Sequence, residues 1–247
     1  MFKHTAALVG LSAALLIGTA GSTALSAAAP KKAAVSAGRN WSLVESANPD
    51  GTITVGNPNA PVKMTEYVSY TCPHCAEFHK DSTAALQQSA IPKGQIQVTV
   101  SSLLRNPIDL AVSLLVACGD PRQMWTRHNA FMATQDVWIA KAEMFTRDQQ
   151  QRWFTGAVPD RMKAITTDFG FYATVKPWGI SQAQADQCLS SKAAIDKLMG
   201  LQKVAEQVGV PGTPSFVIDG KLAEEHDWPT LQKDLLGRIA AHRSSMS

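Results

Sequence analysis

The sequence predicts an α/β protein in which one domain is split by a block of helices. Strand-like segments lie on both sides of that block, at residues 51–55, 62–70, 95–101 and 215–223. The roughly one hundred residues between the third and fourth segments have helical patterning. A Cys-x-x-Cys motif, Cys72-Pro73-His74-Cys75, stands where a predicted strand gives way to a predicted helix.

The first residues have the features of an export signal. Lys3 and His4 precede an apolar run to about Ala20, and small residues follow as far as Ala29. We therefore expect residues 1–29 to be a cleaved signal peptide and the mature protein to lie outside the cytosol. An uncleaved anchor is the alternative, but an apolar run of about 15 residues is short for a membrane span. The polar residues 30–50 are predicted to form a flexible N-terminal tail.

Residues 51–105 are predicted to form the first half of the α/β domain. A short β-branched run at 51–55 is followed by a strand at 62–70, which leads directly into the Cys-x-x-Cys motif. Residues 76–90 have helical composition, and residues 95–101 alternate apolar with polar side chains as a strand does.

Residues 106–208 are predicted to form an inserted helical subdomain. Thr146–Gln149 and Ser181–Gln184 have capping-box spacing, and Asp120 with Pro121 fits a helix start. The methionine and tryptophan residues of this block are interpreted as core filling.

Residues 209–247 are predicted to complete the α/β domain. Ser215–Ile218 reads as a strand, and Asp219-Gly220 is a strong signal for a two-residue hairpin turn. Asp227 is expected to cap a last helix that has Pro229 in its first turn.

Composition excludes some functions. The 247 residues are 45% hydrophobic and 17% charged, and the formal net charge is only +3. Because the basic residues are scattered, no nucleic-acid partner is expected. A Cys-x-x-Cys motif can supply half of the ligands of a zinc site. No second Cys-x-x-Cys or His pair accompanies it here, so we expect no metal.

The position of Cys72 points to redox chemistry. At a helix N-terminus, unpaired backbone N–H groups and the helix dipole favour an anion, so the pKa of its thiol should fall. Pro73 suits the first turn, and a donating or protonated His74 would add positive potential. Cys75 lies within reach to close a small disulfide. A purely structural disulfide is the alternative, although so short a loop stabilises little.

The ten residues Glu66-Tyr67-Val68-Ser69-Tyr70-Thr71-Cys72-Pro73-His74-Cys75, together with Val210-Pro211-Gly212-Thr213-Pro214-Ser215-Phe216, resemble the DsbA-like family of bacterial periplasmic thiol:disulfide oxidoreductases. The resemblance covers about residues 50–243. It implies a thioredoxin fold, with a central mixed sheet flanked by helices and an inserted helical subdomain. It also implies a periplasmic location.

Site residues follow from the same resemblance. Cys72 corresponds to the exposed nucleophile and Cys75 to the buried resolving thiol. Glu66 corresponds to an acidic residue beneath the active site that could relay a proton to Cys75, with an edge charge on a strand as the alternative. Thr213-Pro214 corresponds to a loop whose proline is cis and faces the cysteines. His79, one turn after the motif, is expected on a solvated helix face, with a catalytic role as the alternative.

Two further features bear on function. The best-known oxidases of the family have valine where this chain has Thr213, and threonine resembles isomerases and some other relatives. Cys118 and Cys188 are expected to form a structural disulfide, as the resemblance implies and as an oxidising compartment permits. Two buried free thiols are the alternative.

The resemblance implies a disulfide donor to reduced or unfolded secreted proteins that needs no cofactor. A membrane, quinone-linked, DsbB-like protein would reoxidise the cysteine pair, and the chain is expected to be a monomer. The first alternative is a disulfide isomerase or reductase on the same fold. A peptide-binding chaperone without redox turnover is the second.

Overall fold

The computed structural model describes residues 38–245. The predicted signal peptide, residues 1–29, lies outside the described residues, and so does the start of the predicted tail, residues 30–37.

A six-stranded mixed sheet forms the centre of the fold. Its order is β1-β2-β4-β3-β5-β6, with β3 and β4 parallel and every other neighbouring pair antiparallel. The strands are β1 (Glu45–Ala47), β2 (Ile53–Gly56), β3 (Val62–Val68), β4 (Ile96–Ser102), β5 (Ser215–Ile218) and β6 (Lys221–Leu222). The β3 strand lies inside the sheet with a partner on each side, and five of its seven residues are buried.

Part of the predicted tail is ordered structure, which corrects the prediction for residues 30–50. Residues Trp41–Leu43 form a 3-10 turn, and β1 pairs with β2 in the register Glu45↔Val55. The Glu45 carboxylate also accepts a hydrogen bond of 2.9 Å from the backbone N–H of Trp125, 80 positions along the chain. Composition reports local preference only, and these partners are distant in sequence.

Helices surround the sheet and fill the chain between β4 and β5. Within residues 38–245, no helix has the length and apolar character needed to cross a bilayer. The helices are α1 (Pro73–Ser82), α2 (Pro107–Val116), α3 (Met124–Ala133), α4 (Gln135–Ile139), α5 (Arg147–Gln151), α6 (Val158–Phe169), α7 (Phe171–Val175), α8 (Gln182–Leu189), α9 (Lys192–Val208) and α10 (Trp228–Ser244).

The helix predicted at residues 76–90 is interrupted. The α1 helix ends at Ser82, and a separate π-helical turn spans Leu86–Ala90. The Thr83 hydroxyl donates to the carbonyl of His79 at 2.6 Å. A threonine that bonds back to the carbonyl four residues earlier competes with regular helix geometry, which explains the break.

Local signals at several other element ends are confirmed. Thr146 and Ser181 form complete capping boxes at the starts of α5 and α8. Gly209 ends α9 in the left-handed conformation, which glycine adopts without strain. Asp219 and Gly220 both have positive φ between β5 and β6, as the tight hairpin requires.

One continuous apolar core joins the sheet to the helices. Within the helical block, aromatic rings pack edge to face, as Phe131 and Trp138 do against Phe171. The methionines and tryptophans interpreted as core filling are buried, apart from Trp125, which is half-buried against the same core.

A disulfide joins Cys118 to Cys188, as the resemblance implies. Cys118 lies just after the end of α2 and Cys188 lies in α8, with Cα atoms 5.7 Å apart and 70 positions between them in sequence. The bond therefore closes a loop that contains most of the helical block.

Replacing both Cys118 and Cys188 by alanine should lower the free energy of unfolding by roughly 4 kcal/mol, because closure of a loop of this size restricts the unfolded chain. Urea unfolding of the two proteins measures the difference. Both proteins are measured with Cys72 and Cys75 reduced, because the redox state of that pair also changes the free energy of unfolding. Equal unfolding midpoints for the two proteins would contradict this account of the bond.

Candidate active site

The Cys72–Cys75 motif occupies the turn from β3 into α1. Cys72 is the N-cap residue with extended backbone angles, and Pro73 is the first residue of the helix. The Cys75 N–H donates to the Cys72 carbonyl at 3.1 Å, so Cys75 already lies in the first turn. Both cysteines are free thiols, and the structure therefore represents the reduced form.

The Cys72 thiol is strongly acidified. Its pKa is lowered from an ordinary value of 9.0 to about 5, and the largest cause is a hydrogen bond from the Cys75 side chain. The Thr213 side chain and the backbone N–H groups of Cys75 and His74 lower the pKa further, while burial opposes them. The helix N-terminus thus acts through specific N–H donors, as expected for an anion at this position.

The side chain and the backbone of His74 have different neighbours. Its ring is exposed, and Nδ1 lies 3.4 Å from Oε2 of Glu77 in the next helical turn. What His74 supplies to Cys72 is its backbone N–H. The structure thus shows the backbone N–H of His74 as a donor to Cys72, and support of the thiolate by the imidazole stays a prediction.

Cys72 is also less exposed than the resemblance implies. Its exposed fraction is 2%, because the Thr213 loop covers the sulfur. The Cys72 thiol donates to the Thr213 carbonyl at 3.2 Å. An attacking thiolate must therefore approach past this loop.

Cys75 is the more enclosed thiol, with no exposed surface. Burial is the largest cause that raises its pKa far above the ordinary range, and the neighbouring Cys72 raises it further. The two sulfurs thus have opposite tendencies: at neutral pH Cys72 holds a negative charge and Cys75 keeps its proton.

Glu66 lies behind the cysteines on β3, between Val100 of β4 and Phe216 of β5. Its exposed fraction is 7%, and burial raises its pKa to about 8. Its charge would raise the pKa of Cys75, which places it within electrostatic reach of that thiol. A strand-edge charge, the alternative considered above, does not describe a residue in the middle of the sheet.

The Thr213-Pro214 peptide bond is cis, as the resemblance implies. The Thr213 hydroxyl is buried and has no hydrogen-bond partner in the part of the chain that the structure describes. When Cys72 ionises, its sulfur becomes an acceptor, and the hydroxyl can donate to it in place of the lost contact with the Thr213 carbonyl. This explains why the Thr213 side chain lowers the pKa of Cys72.

A surface groove runs beside Thr213 and Pro214. Its walls also include His74, the apolar side chains of Phe78 and Trp228, and several acidic residues of α1 and of the segment before α10. Trp228 and Phe78 pack edge to face, which fixes the wall of the groove.

Sequence reasoning missed the residues that hold the active-site turn. Asp109, in the first turn of α2, has no exposed surface and accepts hydrogen bonds from the Thr71 N–H at 2.9 Å and from the Ser69 hydroxyl at 3.0 Å. Gln135 of α4 donates to the carbonyls of Tyr70 and Cys72, both at 2.8 Å. The only local signal was the start of α2, where Asn106 precedes Pro107 and caps the helix.

The structure does not bring Cys118 and Cys188 to the active site. They lie beyond the far end of α2, whereas its first turn contacts Thr71. Among residues 38–245, no group of three or more His, Cys, Asp or Glu side chains is arranged to hold a metal ion.

Comparison with known proteins places this geometry in a family. A family model described as thioredoxin matches residues 48–235, which is more than half of the chain. The crystal structure of a protein-disulfide isomerase from Novosphingobium aromaticivorans is 40% identical and superposes with a TM-score of 0.73, covering 77% of this chain and 98% of that one.

The chain belongs to the thioredoxin family.

Within the thioredoxin family, the fold class predicted from the resemblance is confirmed. The fold is shared with Wolbachia pipientis alpha-DsbA1, at 19% identity and a TM-score of 0.60 over 78% of this chain and 94% of that one. A Rickettsia typhi relative that carries the name of a candidate protein-disulfide oxidoreductase is 28% identical over 176 residues, or 70% of this chain and 57% of the relative. The chain spans about three fifths of the length of such curated relatives.

The acidity of Cys72 can be tested by titrating the thiolate absorbance of the reduced protein. One group should titrate near pH 5, and Cys75→Ala should raise that pKa because it removes the largest stabilising hydrogen bond. His74→Ala is the matched control and should leave the titration near 5, since its backbone N–H remains. A normal thiol pKa in the unmodified protein would contradict the site geometry.

Folding stability of the reduced protein should depend on pH with a defined sign. The folded-state pKa of Cys72, about 5, lies below the ordinary value of 9.0 that applies to the unfolded chain. The stabilisation is therefore complete above the unfolded pKa and is lost as pH falls towards 5. As pH falls from 8 to 5, the free energy of unfolding of the reduced protein, measured with urea, should fall relative to that of Cys72→Ala. The comparison removes the opposite contribution of Glu66, whose raised pKa of about 8 is present in both proteins. Parallel pH profiles for the two proteins would contradict this linkage.

Proposed function

We propose that this chain is a thiol:disulfide oxidoreductase that acts as an oxidase, donating the Cys72–Cys75 disulfide to reduced secreted proteins. The observation that carries the proposal is the acidified Cys72 thiol, whose pKa is about 5. Whatever stabilises the reduced form of a dithiol makes its disulfide a stronger oxidant. A pair with this reduced form accepts electrons readily from substrate thiols.

The reaction proceeds by two exchanges. A substrate thiolate attacks Cys72 of the disulfide, which forms a mixed disulfide and releases Cys75 as a thiolate. A second substrate thiolate then attacks the substrate sulfur of the mixed disulfide, and Cys72 leaves. The substrate gains one disulfide, and Cys72 and Cys75 are left reduced. Cys72 is a good leaving group because its thiolate is stabilised.

Glu66 supplies the proton in the first exchange. The released Cys75 thiolate is buried, so it needs a proton, and a carboxyl group with a pKa of about 8 still carries one at neutral pH. Glu66 becomes a carboxylate as Cys75 becomes a thiol. The proton later returns to Glu66 from solvent.

Substrates dock along the Thr213-Pro214 loop. This loop leads into β5, whose neighbour β6 is only two residues long. An extended substrate segment beside a sheet strand gains backbone hydrogen bonds that do not depend on sequence. The adjacent groove, with Phe78 and Trp228 in its walls, offers apolar contact to the substrate side chains.

We place this activity in the periplasm and assign reoxidation of the cysteine pair to a membrane, quinone-linked, DsbB-like partner. The basic, apolar and small-residue order of residues 1–29 supports export, and the Cys118–Cys188 bond fits an oxidising compartment. We take the chain to act as a monomer. Helices occupy the whole span between β4 and β5, which supports residues 106–208 as one inserted subdomain.

Disulfide isomerase activity is the second candidate. Two observations favour it: the Novosphingobium aromaticivorans protein at 40% identity is named a protein-disulfide isomerase, and Thr213 precedes the cis proline. An isomerase needs a resident reduced thiolate to attack scrambled disulfides, and an acidified Cys72 would serve that purpose too. Whether the chain mainly donates disulfides or rearranges them therefore has to be measured.

Two assays separate the candidates. The oxidised protein should rapidly form the disulfide of a reduced dithiol peptide, and the reduced protein should restore little activity to a scrambled-disulfide enzyme. Cys72→Ser should abolish peptide oxidation, whereas the Cys118→Ala/Cys188→Ala variant, measured below its unfolding midpoint, should retain it. Efficient rescue of scrambled protein with slow peptide oxidation would overturn the oxidase assignment in favour of the isomerase.

A further inference from the structure

A narrow cavity lies behind the active-site helix, between the sheet and α3. Three titratable side chains line it from three different elements: Glu66 from β3, His79 from α1 and His128 from α3. Most of its other walls are apolar, including Phe78 and Val98. The cavity is mostly enclosed and has room for about one water molecule.

His79 forms the polar boundary between this cavity and the surface. His79 lines both the cavity and an open groove between α1 and α3. Gln87 is the other described residue that lines both. The Gln87 amide nitrogen lies 3.4 Å from Nδ1 of His79. His79 is half-buried, so the expectation that it lies on a solvated helix face is wrong.

The buried His128 contacts His79 on the side that faces the protein interior. Its Nδ1 lies 3.0 Å from the Tyr70 hydroxyl, and its ring stacks on Trp125 at 5.4 Å between centroids. The His79 ring meets the edge of His128 at 6.0 Å. Contacts with neighbouring side chains therefore restrain both rings.

Both imidazoles are neutral at physiological pH. Burial lowers the pKa of His79 to about 4 and that of His128 to about 3. A neutral imidazole donates from one nitrogen and accepts at the other, so it can pass a proton without storing a charge. The titratable and charged groups around this cluster are Glu66, Tyr70, Cys72, Cys75, His79, Asp109, Arg127 and His128.

We propose that His79 is the positioning residue through which Glu66 exchanges protons with solvent. This inference rests on the proposed role of Glu66 in supplying the proton to Cys75. After that step the Glu66 carboxylate takes a proton from one ring nitrogen of His79, directly or through one water. The other ring nitrogen takes a proton from a buffer acid or hydronium in the groove, and the imidazole ends neutral. No electron moves in this exchange.

The test follows the protonated carboxyl of Glu66 by infrared spectroscopy, after transfer of the reduced protein into D₂O. Glu66→Gln identifies the band. In His79→Leu, exchange of the carboxyl proton should slow by about a hundredfold, the scale of a positioned proton-transfer group. His242→Ala, at an exposed position near the end of α10, is the matched control and should exchange at the unmodified rate.

A second variant separates proton transfer from structural support. His79→Ala should exchange slowly, and added imidazole should restore the rate by entering the groove, while the Cys72 titration stays near pH 5. Exchange at the unmodified rate in His79→Leu, or slow exchange that imidazole does not restore, would overturn the proposal. Failure of the oxidase assignment would appear instead in the peptide and scrambled-protein assays, which do not depend on the rate of carboxyl exchange.

Discussion

The hydrogen bonds between the buried Asp109 carboxylate and the turn before Cys72 hold the active site together. A helix N-terminus stabilises an anion only within its first turn, so a small displacement of the chain at Cys72 would remove the effect. Asp109 receives donors from Ser69, Thr71 and Arg105, which offset the cost of burying a carboxylate. Gln135 fixes the next carbonyls along the turn. The inserted helices are therefore part of the redox site, since α2 and α4 position the residue that reacts.

The two sulfurs stabilise each other's protonation states: Cys72 as a thiolate and Cys75 as a thiol. In the reduced protein the Cys75 thiol donates to Cys72, so the proton that Cys75 retains is also the largest source of stability for the Cys72 thiolate. Burial keeps that proton in place by raising the pKa of Cys75. Loss of either property would weaken the other. The cis-proline loop adds a further donor in the Thr213 hydroxyl, which valine at this position would not provide.

The sequence was informative wherever a signal is local. The Cys-x-x-Cys motif at a strand–helix junction, the capping boxes at Thr146 and Ser181, and the Asp219-Gly220 hairpin all depend on neighbours within a few residues. Asp109 and Gln135 act across 38 and 63 positions, and no short pattern marks such partners. The ordered strand β1 and the half-buried His79 were missed for the same reason, because tertiary contacts decide their environment. Glu66 was predicted only through family resemblance, although Met64 and Val68, its neighbours on the same face of the strand, are apolar and already conflict with a carboxylate.

Formation of the Cys118–Cys188 bond is an oxidation that each new chain must itself undergo. Two thiols lose two electrons and two protons when the bond forms, so every new chain must receive one disulfide before its fold is complete. Cys118 is buried at the end of α2, and an incoming thiolate reaches the bond only from the half-buried Cys188 side. The two electrons lost from Cys118 and Cys188 take no part in the exchange reactions of Cys72 and Cys75. The biogenesis of this molecule is thus itself a disulfide-forming reaction, and it consumes one two-electron oxidant for each chain.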